Sequence, residues 1–450
     1  MAVNTKQINA LRKLVHYGAL SRAARLVEKL HPADIAEVLP ELSLAETRQL
    51  MEILFATRRA GATFRELPEE ILGRILGMIS DERLARLISR QPSDDAIFFL
   101  SLLSEERRRS VLAHLSPEQR ETFDRLMLYP LGSAGSVMTT KVLAMKEDAT
   151  AEDAINEIRR QGQDLEAIFY LYVVGEQSRL TGVVPLRQLI LSAMDKPLRE
   201  LMLRNPISAN VRDDQEKVAS IVAKYNFLSL PVTDDDGRLL GVVTVDDVID
   251  VIHEEATEDF FHMAGLEEED RVFGPIVQSV RKRILWTFIN LATAFVASLV
   301  IRFFEGSIEK AVALATFMPI VAGLGGNSGT QSLTVIIRSL ALGELPYQAA
   351  FRAILRQLVV GLCIGSAAGL VTGGIVYLWQ GNPMLGVVLF LAMLANMAMG
   401  ALVGAAIPLF LRLIRQDPAM GSGILVTGIT DSFGFFAFLG LATLFLFYLV

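Results

Sequence analysis

The chain has 450 residues, 52% of them apolar, a formal net charge of -7 and a single cysteine, Cys363. That length allows two or three domains, and one cysteine excludes an internal disulfide framework and a multi-cysteine zinc site. The charge is unevenly divided: Arg281 onward holds 10 Lys+Arg and 5 Asp+Glu, leaving 33 and 45 for residues 1–280, so an acidic front part precedes an apolar, weakly basic back part.

The opening stretch, MAVNTKQINALRKLVHYG, lacks the apolar core of a signal peptide, and the front part is expected to stay in the cytoplasm. Residues 1–128 show apolar positions at helical spacing in short runs such as PADIAEVLPEL, AETRQLMEILF and DERLARLI, with Pro32, Ser43 and Ser116 marking helix starts. A compact array of short helices wound as a small superhelix follows from this, and no chemistry stands out in it; PSDD at 92–95 reads most simply as a helix cap with solvated charges.

An internal repeat comes next. SVMTTKVLAMKEDATAEDAINEIRRQ with LYVVGEQSRLTGVVPLRQLI is followed, about sixty residues on, by ELMLRNPISANVRDDQEKVASIVAKYNFLSLPVTDDDGRLLGVVTVDDVIDVI. Both copies read strand, helix, strand, turn, strand, helix, and VVGEQSRLTGVV aligns with VTDDDGRLLGVV as a hairpin.

Between the repeat and the apolar part lies DVIDVIHEEATEDFFHMAGLEEED, expected to be helical. Spacings of three and four put Asp247, Asp250, Glu254 and Glu258 on one face, with Glu255 and Asp259 beside them and Glu267–Asp270 beyond. Like charges so placed repel by a few tenths of a kcal/mol per pair, roughly. A solvated acidic face is one reading. The other is a switch that repels when empty and is bridged by a hard cation when full; Mg2+ keeps several waters and needs one or two carboxylates.

Five runs are long and apolar enough to span a bilayer: 284–303, 311–336, 354–379, 384–411 and 420–448. Arg281, Lys282 and Arg283, then Arg338, Arg352 and Arg356, then Arg412 and Arg415 fall on one side, which predicts a cytoplasmic N-terminus and an external C-terminus. Within the runs Asp431 is the one acidic residue, where a charge costs about 2.5–3.5 kcal/mol on insertion scales. Pro319, Gly323, Gly325, Gly326 and Gly329 crowd the second run beside Asn327, Ser328, Thr330 and Gln331. Close packing through small residues is one explanation. An unwound helix whose oxygens line a cation path with Asp431 and Asn396 is the expectation favoured here. GLGGNSGT lacks the lysine of a phosphate-binding loop and HEEAT lacks the second histidine of a zinc-protease helix, so no catalytic constellation emerges and no enzyme is expected.

These segments together resemble the MgtE family of magnesium channels: HPADIAEVL in the helical array, a CBS pair ending GVVTVDDVIDVI, the linker EEATEDF and the membrane motif PIVAGLGGNSGTQSLTVIIRSLALGE. The resemblance implies a multidomain α plus α/β membrane protein. Its parts would be an N-terminal helical domain (1–130), two CBS domains (131–198 and 199–258), a connecting helix (259–282) and a five-helix membrane domain (283–450). It implies a Mg2+-selective homodimeric channel of the cell (inner) membrane, gated by cytoplasmic Mg2+, with no obligate protein partner and no nucleic acid. Asp431 would bind hydrated Mg2+ in the pore, lined by Gly325, Gly326 and Asn327. Regulatory Mg2+ would be held among Asp94, Asp95, Glu216, Asp246, Asp247, Asp250, Glu254, Glu255, Glu258, Asp259 and Asp417. ATP or another adenine nucleotide is a further candidate ligand of the CBS pair. Departures from the family pattern are Ser328 in place of alanine, Asn226 in place of an aspartate, and the added charges of Arg59 and Arg90. An ion-coupled carrier and a non-transporting CBS sensor remain as alternatives.

Overall fold

The structure, a computed structural model, describes residues 5–161, 168–266 and 276–449. Two compact units emerge, Met1–Val251 and Ile252–Val450.

The first unit opens with ten short helices: α1 (Thr5–His16), α2 (Leu20–Val27), α3 (Pro32–Ala36), α4 (Leu44–Ala56), α5 (Ala60–Arg65), α6 (Glu69–Met78), α7 (Asp81–Ile88), α8 (Ser93–Ser101), α9 (Glu105–Ala113) and α10 (Pro117–Leu126). The anticipated starts are present. Ser43 and Glu46 form a reciprocal capping box on α4, and Ser116 accepts from the Gln119 amide 3.3 Å away at the start of α10. Each helix buries one stripe, as in α7, where Leu84, Ala85, Leu87 and Ile88 face inward.

The first repeat copy contains β1 (Ala144–Lys146), α11 (Ala151–Gln161), β2 (Tyr170–Val174), β3 (Leu180–Pro185), α12 (Leu186–Leu191), α13 (Leu198–Leu201) and β4 (Leu203–Arg204). The second contains β5 (Ala209–Asn210), α14 (Gln215–Tyr225), β6 (Ser229–Thr233), β7 (Leu239–Thr244) and α15 (Val245–Met263). The strand orders are β1-β2-β3-β4 and β5-β6-β7. In both copies the first strand pairs parallel with the second, and the second and third form an antiparallel hairpin. The register slips at Val173/Val174 in one hairpin and at Val232/Thr233 in the other, so even the irregularity repeats. The copies meet through a bridge between Arg179 and Arg238 and a buried 2.8 Å hydrogen bond between the Tyr172 and Ser229 hydroxyls.

The first copy has its own apolar core around Leu171, Val184 and Leu198. The second copy shares one continuous core with the helical array, from Leu100 and Leu126 through Ala134 and Met138 to Val218 and Val248. The connecting segment explains this. The Ala134 and Gly135 amides donate to the Asp213 and Val211 carbonyls, and Thr139 pairs with Val242. Residues 133–139, assigned from sequence to the first CBS domain, therefore lie along the second.

In the second unit α15 leads to α16 (Ile276–Phe303), α17 (Glu305–Lys310), α18 (Ala313–Ala341), α19 (Ala350–Gln380), α20 (Pro383–Leu413), α21 (Ser422–Leu444) and α22 (Leu446–Leu449). Glu267–Asp270, and with them part of the expected connecting helix, lie outside the described residues. Among the described residues four helices are long and apolar enough to cross a membrane: α16, α19, α20 and α21. The remaining expected span, α18, has 29 residues but carries its polar cluster mid-helix. It packs with α20 and α21 as part of the same bundle, in which α20 is the most buried helix.

Candidate cation path and its acidic approaches

The unwound backbone expected at residues 319–329 is not what the chain does. α18 is one continuous helix through Pro319 and all four glycines. The glycines serve packing instead. A Cβ on Gly400 of α20 would strike the Gly325 carbonyl, and one on Gly404 would strike that of Gly329. The same device joins α19 to α20, where a Cβ on Gly373 would stand 2.7 Å from the Gly386 carbonyl oxygen. Missing side chains let backbones touch, which drives helix association where lipid removes the usual hydrophobic gain. Ser328 reinforces the contact: its hydroxyl donates to the Met397 carbonyl at 3.0 Å.

Packing one side of α18 against α20 leaves the other side polar and open. Gly323, Asn327, Thr330, Gln331 and Thr334 recur at helical spacing and are exposed. α21 meets α18 where Gly326 approaches Thr430, 3.8 Å from a Cβ built on the glycine to the threonine Oγ1. One residue on, Asn327 and Asp431 thus fall at a common level. Asp431 is half-buried, and among the described residues no cation or hydrogen-bond donor compensates it.

Behind this face stands Asn396 of α20, 0% exposed. Its Nδ2 donates to the Val321 carbonyl at 2.8 Å, while Oδ1 has no partner. Gly325 on α18 and Gly434 on α21 make room for it; a Cβ on Gly434 would lie 2.5 Å from Nδ2.

At the start of α21 a second group assembles. The Met263 carbonyl at the end of α15 would be 2.5 Å from a Cβ on Gly423, and the His262 carbonyl accepts from the Gly421 amide at 3.0 Å. His262 Nδ1 donates to Asp417 in the α20–α21 loop, and its Nε2 lies 3.7 Å from Glu258. Asp259 is pushed up to about 6, first by burial and then by the charges of Asp417, Glu255 and Glu258, with His262 opposing.

In the first unit a third group lies between the helical array and the second repeat copy. Asp95 of α8 faces Asp246, Asp247 and Asp250 at the start of α15, and Asp94 is buried beside it on α8. Burial raises Asp95, and it raises Asp247 to about 6 despite a hydrogen bond from the Thr244 hydroxyl. Arg65 at the end of α5 reaches both sides: Nε is 3.0 Å from Asp95 Oδ1 and Nη2 is 3.5 Å from Asp250 Oδ2. Its guanidinium lies 4.4 Å from the centroid of Phe98. PSDD is therefore more than a solvated cap, since Asp94 is buried and Asp95 nearly so.

Of the other sequence-derived candidates, Glu216 sits in the exposed first turn of α14, behind its N-cap Asp214, and Glu254 is exposed on α15. Asn226 has φ 54 and closes α14 in the left-handed conformation, which asparagine tolerates well. Arg59 donates to the Leu30 and Glu28 carbonyls, a structural task. Among the described residues no three His, Cys, Asp or Glu side chains converge closely enough to hold a bare metal ion. Arg65 and His262 were invisible to sequence reasoning, because each acquires meaning only from residues distant along the chain.

Family models of known proteins match successive parts of the chain. The MgtE divalent cation transporter model matches residues 318–441, the MgtE intracellular N domain model residues 30–132, and the CBS domain model residues 134–195 and 198–254. A magnesium transporter MgtE of Thermus thermophilus is 34% identical over 97% of this chain and 98% of its own. The chain belongs to the MgtE family of magnesium transporters. The MgtE of Bacillus subtilis is 30% identical over 96% of each chain. Among solved structures, the soluble part of a magnesium transporter is 30% identical, with a TM-score of 0.53, over 56% of this chain and 99% of that one. The cytosolic domain of the Mg2+ channel MgtE in complex with ATP is also 30% identical, with a TM-score of 0.51, over 54% and 99%. The chain is accordingly a multi-pass membrane protein of a magnesium-transporting family, with an N-terminal helical domain, a CBS pair and an apolar helical C-terminal part.

Proposed function

We propose that this MgtE family member is a Mg2+-selective channel for magnesium uptake, closed by Mg2+ bound on its cytoplasmic side. The supporting observation is Asp431: a half-buried carboxylate without a compensating cation among the described residues, level with Asn327 on the polar face of α18. A site that keeps the ion's waters needs few protein ligands, so the absence of a tight cluster among the described residues is compatible with hydrated Mg2+. Two copies of the chain would place two such faces about a shared axis, with the N-terminus cytoplasmic and the C-terminus outside. Glu255, Glu258, Asp259 and Asp417 would take regulatory Mg2+, displacing the proton that burial favours on Asp259. An adenine nucleotide at the CBS pair is part of this proposal, by similarity to the ATP-bound relative. An open cavity of about 530 Å³ in the first CBS copy carries Arg187 and Lys196, cations suited to phosphate. Mg2+ influx into proteoliposomes, with and without H+ or Na+ gradients, tests the reading. A channel gives influx driven by the Mg2+ gradient and voltage alone, whereas strict dependence on a second ion would replace it with a coupled carrier.

A further inference from the structure

We infer that Arg65 is a built-in cation that holds the helical array on the second CBS copy without a bound metal, so that Mg2+ acts on a seam already closed. Four carboxylates meet there, Asp95 from one side and Asp246, Asp247 and Asp250 from the other. Like charges opposed in a partly dry seam would drive the two domains apart. Arg65 engages one carboxylate from each side, Asp95 at 3.0 Å and Asp250 at 3.5 Å. A guanidinium suits this task because its planar fork offers several donors and keeps its charge at any physiological pH. Its placement is fixed from below: Phe64, the preceding residue, is fully buried, and the guanidinium lies over Phe98, which packs on the core residue Phe99. The hydroxyl of Ser93 adds a neutral tie, accepting from the Thr140 amide at 2.7 Å. Removing Arg65 would leave Asp95 buried and uncompensated, which is far costlier than never having formed the pair. The domains would then separate unless another cation entered.

The closure itself stands apart from the channel reading; its effect on ion flux rests on that reading. Hydrogen exchange of the full-length protein in detergent tests it, followed in peptides from α8 and the start of α15 with excess Mg2+ or with EDTA. The wild type is expected to protect both peptides in EDTA within about twofold of its protection in Mg2+. Arg65→Gln is expected to exchange about tenfold faster than wild type in EDTA, a typical coupling strength for a buried charged contact, and to regain protection when Mg2+ is added. Wild-type protection that collapses in EDTA overturns the inference, and that measurement needs no variant. So does an Arg65→Gln chain as protected in EDTA as the wild type, provided peptides from α4 and the first CBS copy show it folded. In flux assays the Arg65→Gln chain should need more cytoplasmic Mg2+ for half-closure. If exchange behaves as stated and flux inhibition does not shift, the seam is as described and the regulatory reading fails.

Discussion

His262 Nδ1 lies 2.6 Å from Asp417 Oδ2, tying the last turn of α15 to the loop between α20 and α21. Asp417 uses its other oxygen to accept from the Ala419 amide at 2.8 Å, so the loop is already ordered when the histidine arrives. The result is a mechanical link between the end of α15 and the start of α21, the helix that carries Asp431.

His262→Ala removes that tie and leaves Asp417 and Asp259 facing each other. A hydrogen bond to a charged group is worth about 1.5–3 kcal/mol, so the link between α15 and α21 should weaken by about tenfold or more. Mg2+ influx at low cytoplasmic Mg2+ should rise in the variant. Influx equal to wild type would show that the contact does not bear on gating.

The acidic group around Asp259 sets a pH dependence. Burial pushes its pKa in the assembled protein up to about 6, above the ordinary aspartate value of 3.8. The protonated form is therefore favoured in the assembled state. That contribution is fully present below the ordinary value and is lost as pH rises through about 6. In EDTA, protection of the end of α15 against exchange should be greater at pH 5 than at pH 8. Mg2+ requires the ionised carboxylate, so the Mg2+ concentration for half-inhibition should increase as pH falls below about 6. Asp417→Asn should flatten this dependence by removing the largest neighbouring charge.

Two adjacent glycines give a packing test. A Cβ on Gly373 would press the Gly386 carbonyl, whereas one on Gly374 meets nothing within 4 Å. Gly374→Ala should be neutral or stabilising by up to about 1 kcal/mol. Gly373→Ala should cost about 1–3 kcal/mol through overpacking. Thermal unfolding of the two variants in detergent reads the difference; equal melting temperatures would contradict the backbone contact.

These contacts show which features a single sequence conveys. The repeat was legible because it is local: alternating apolar residues and hairpin turns mark β2–β3 and β6–β7, whereas their matching register slips emerge only in the fold. The acidic run on α15 was legible for the same reason. The state of α18 was not, because glycine between apolar residues serves an unwound helix and a tightly packed one equally well. Gly400 and Gly404 of α20 decide between them, and nothing near Gly325 in sequence announces that pairing. Arg65 lies 185 positions before Asp250, too far along the chain for any local pattern to connect them.

Asn396 offers a related test. Its Oδ1 is buried without a partner, and such a group costs about 1–3 kcal/mol. Asn396→Leu removes that burden with the same side-chain branching, while Asn396→Ala leaves a void between Gly325 and Gly434. The leucine variant should melt at or above the wild-type temperature and the alanine variant clearly below it. Both melting below wild type by equal amounts would mean that the bond to the Val321 carbonyl dominates.

The central claim concerns Asp431. Proteoliposomes containing wild type, Asp431→Asn or Asp431→Ala should be compared for Mg2+ influx in EDTA-treated lumen buffer, with protein amount and folding matched by thermal melting. The account predicts that both variants fold and that Mg2+ influx falls by about a hundredfold, equivalent to about 2.7 kcal/mol of lost ion stabilisation. Wild-type Mg2+ influx through folded Asp431→Ala would contradict it.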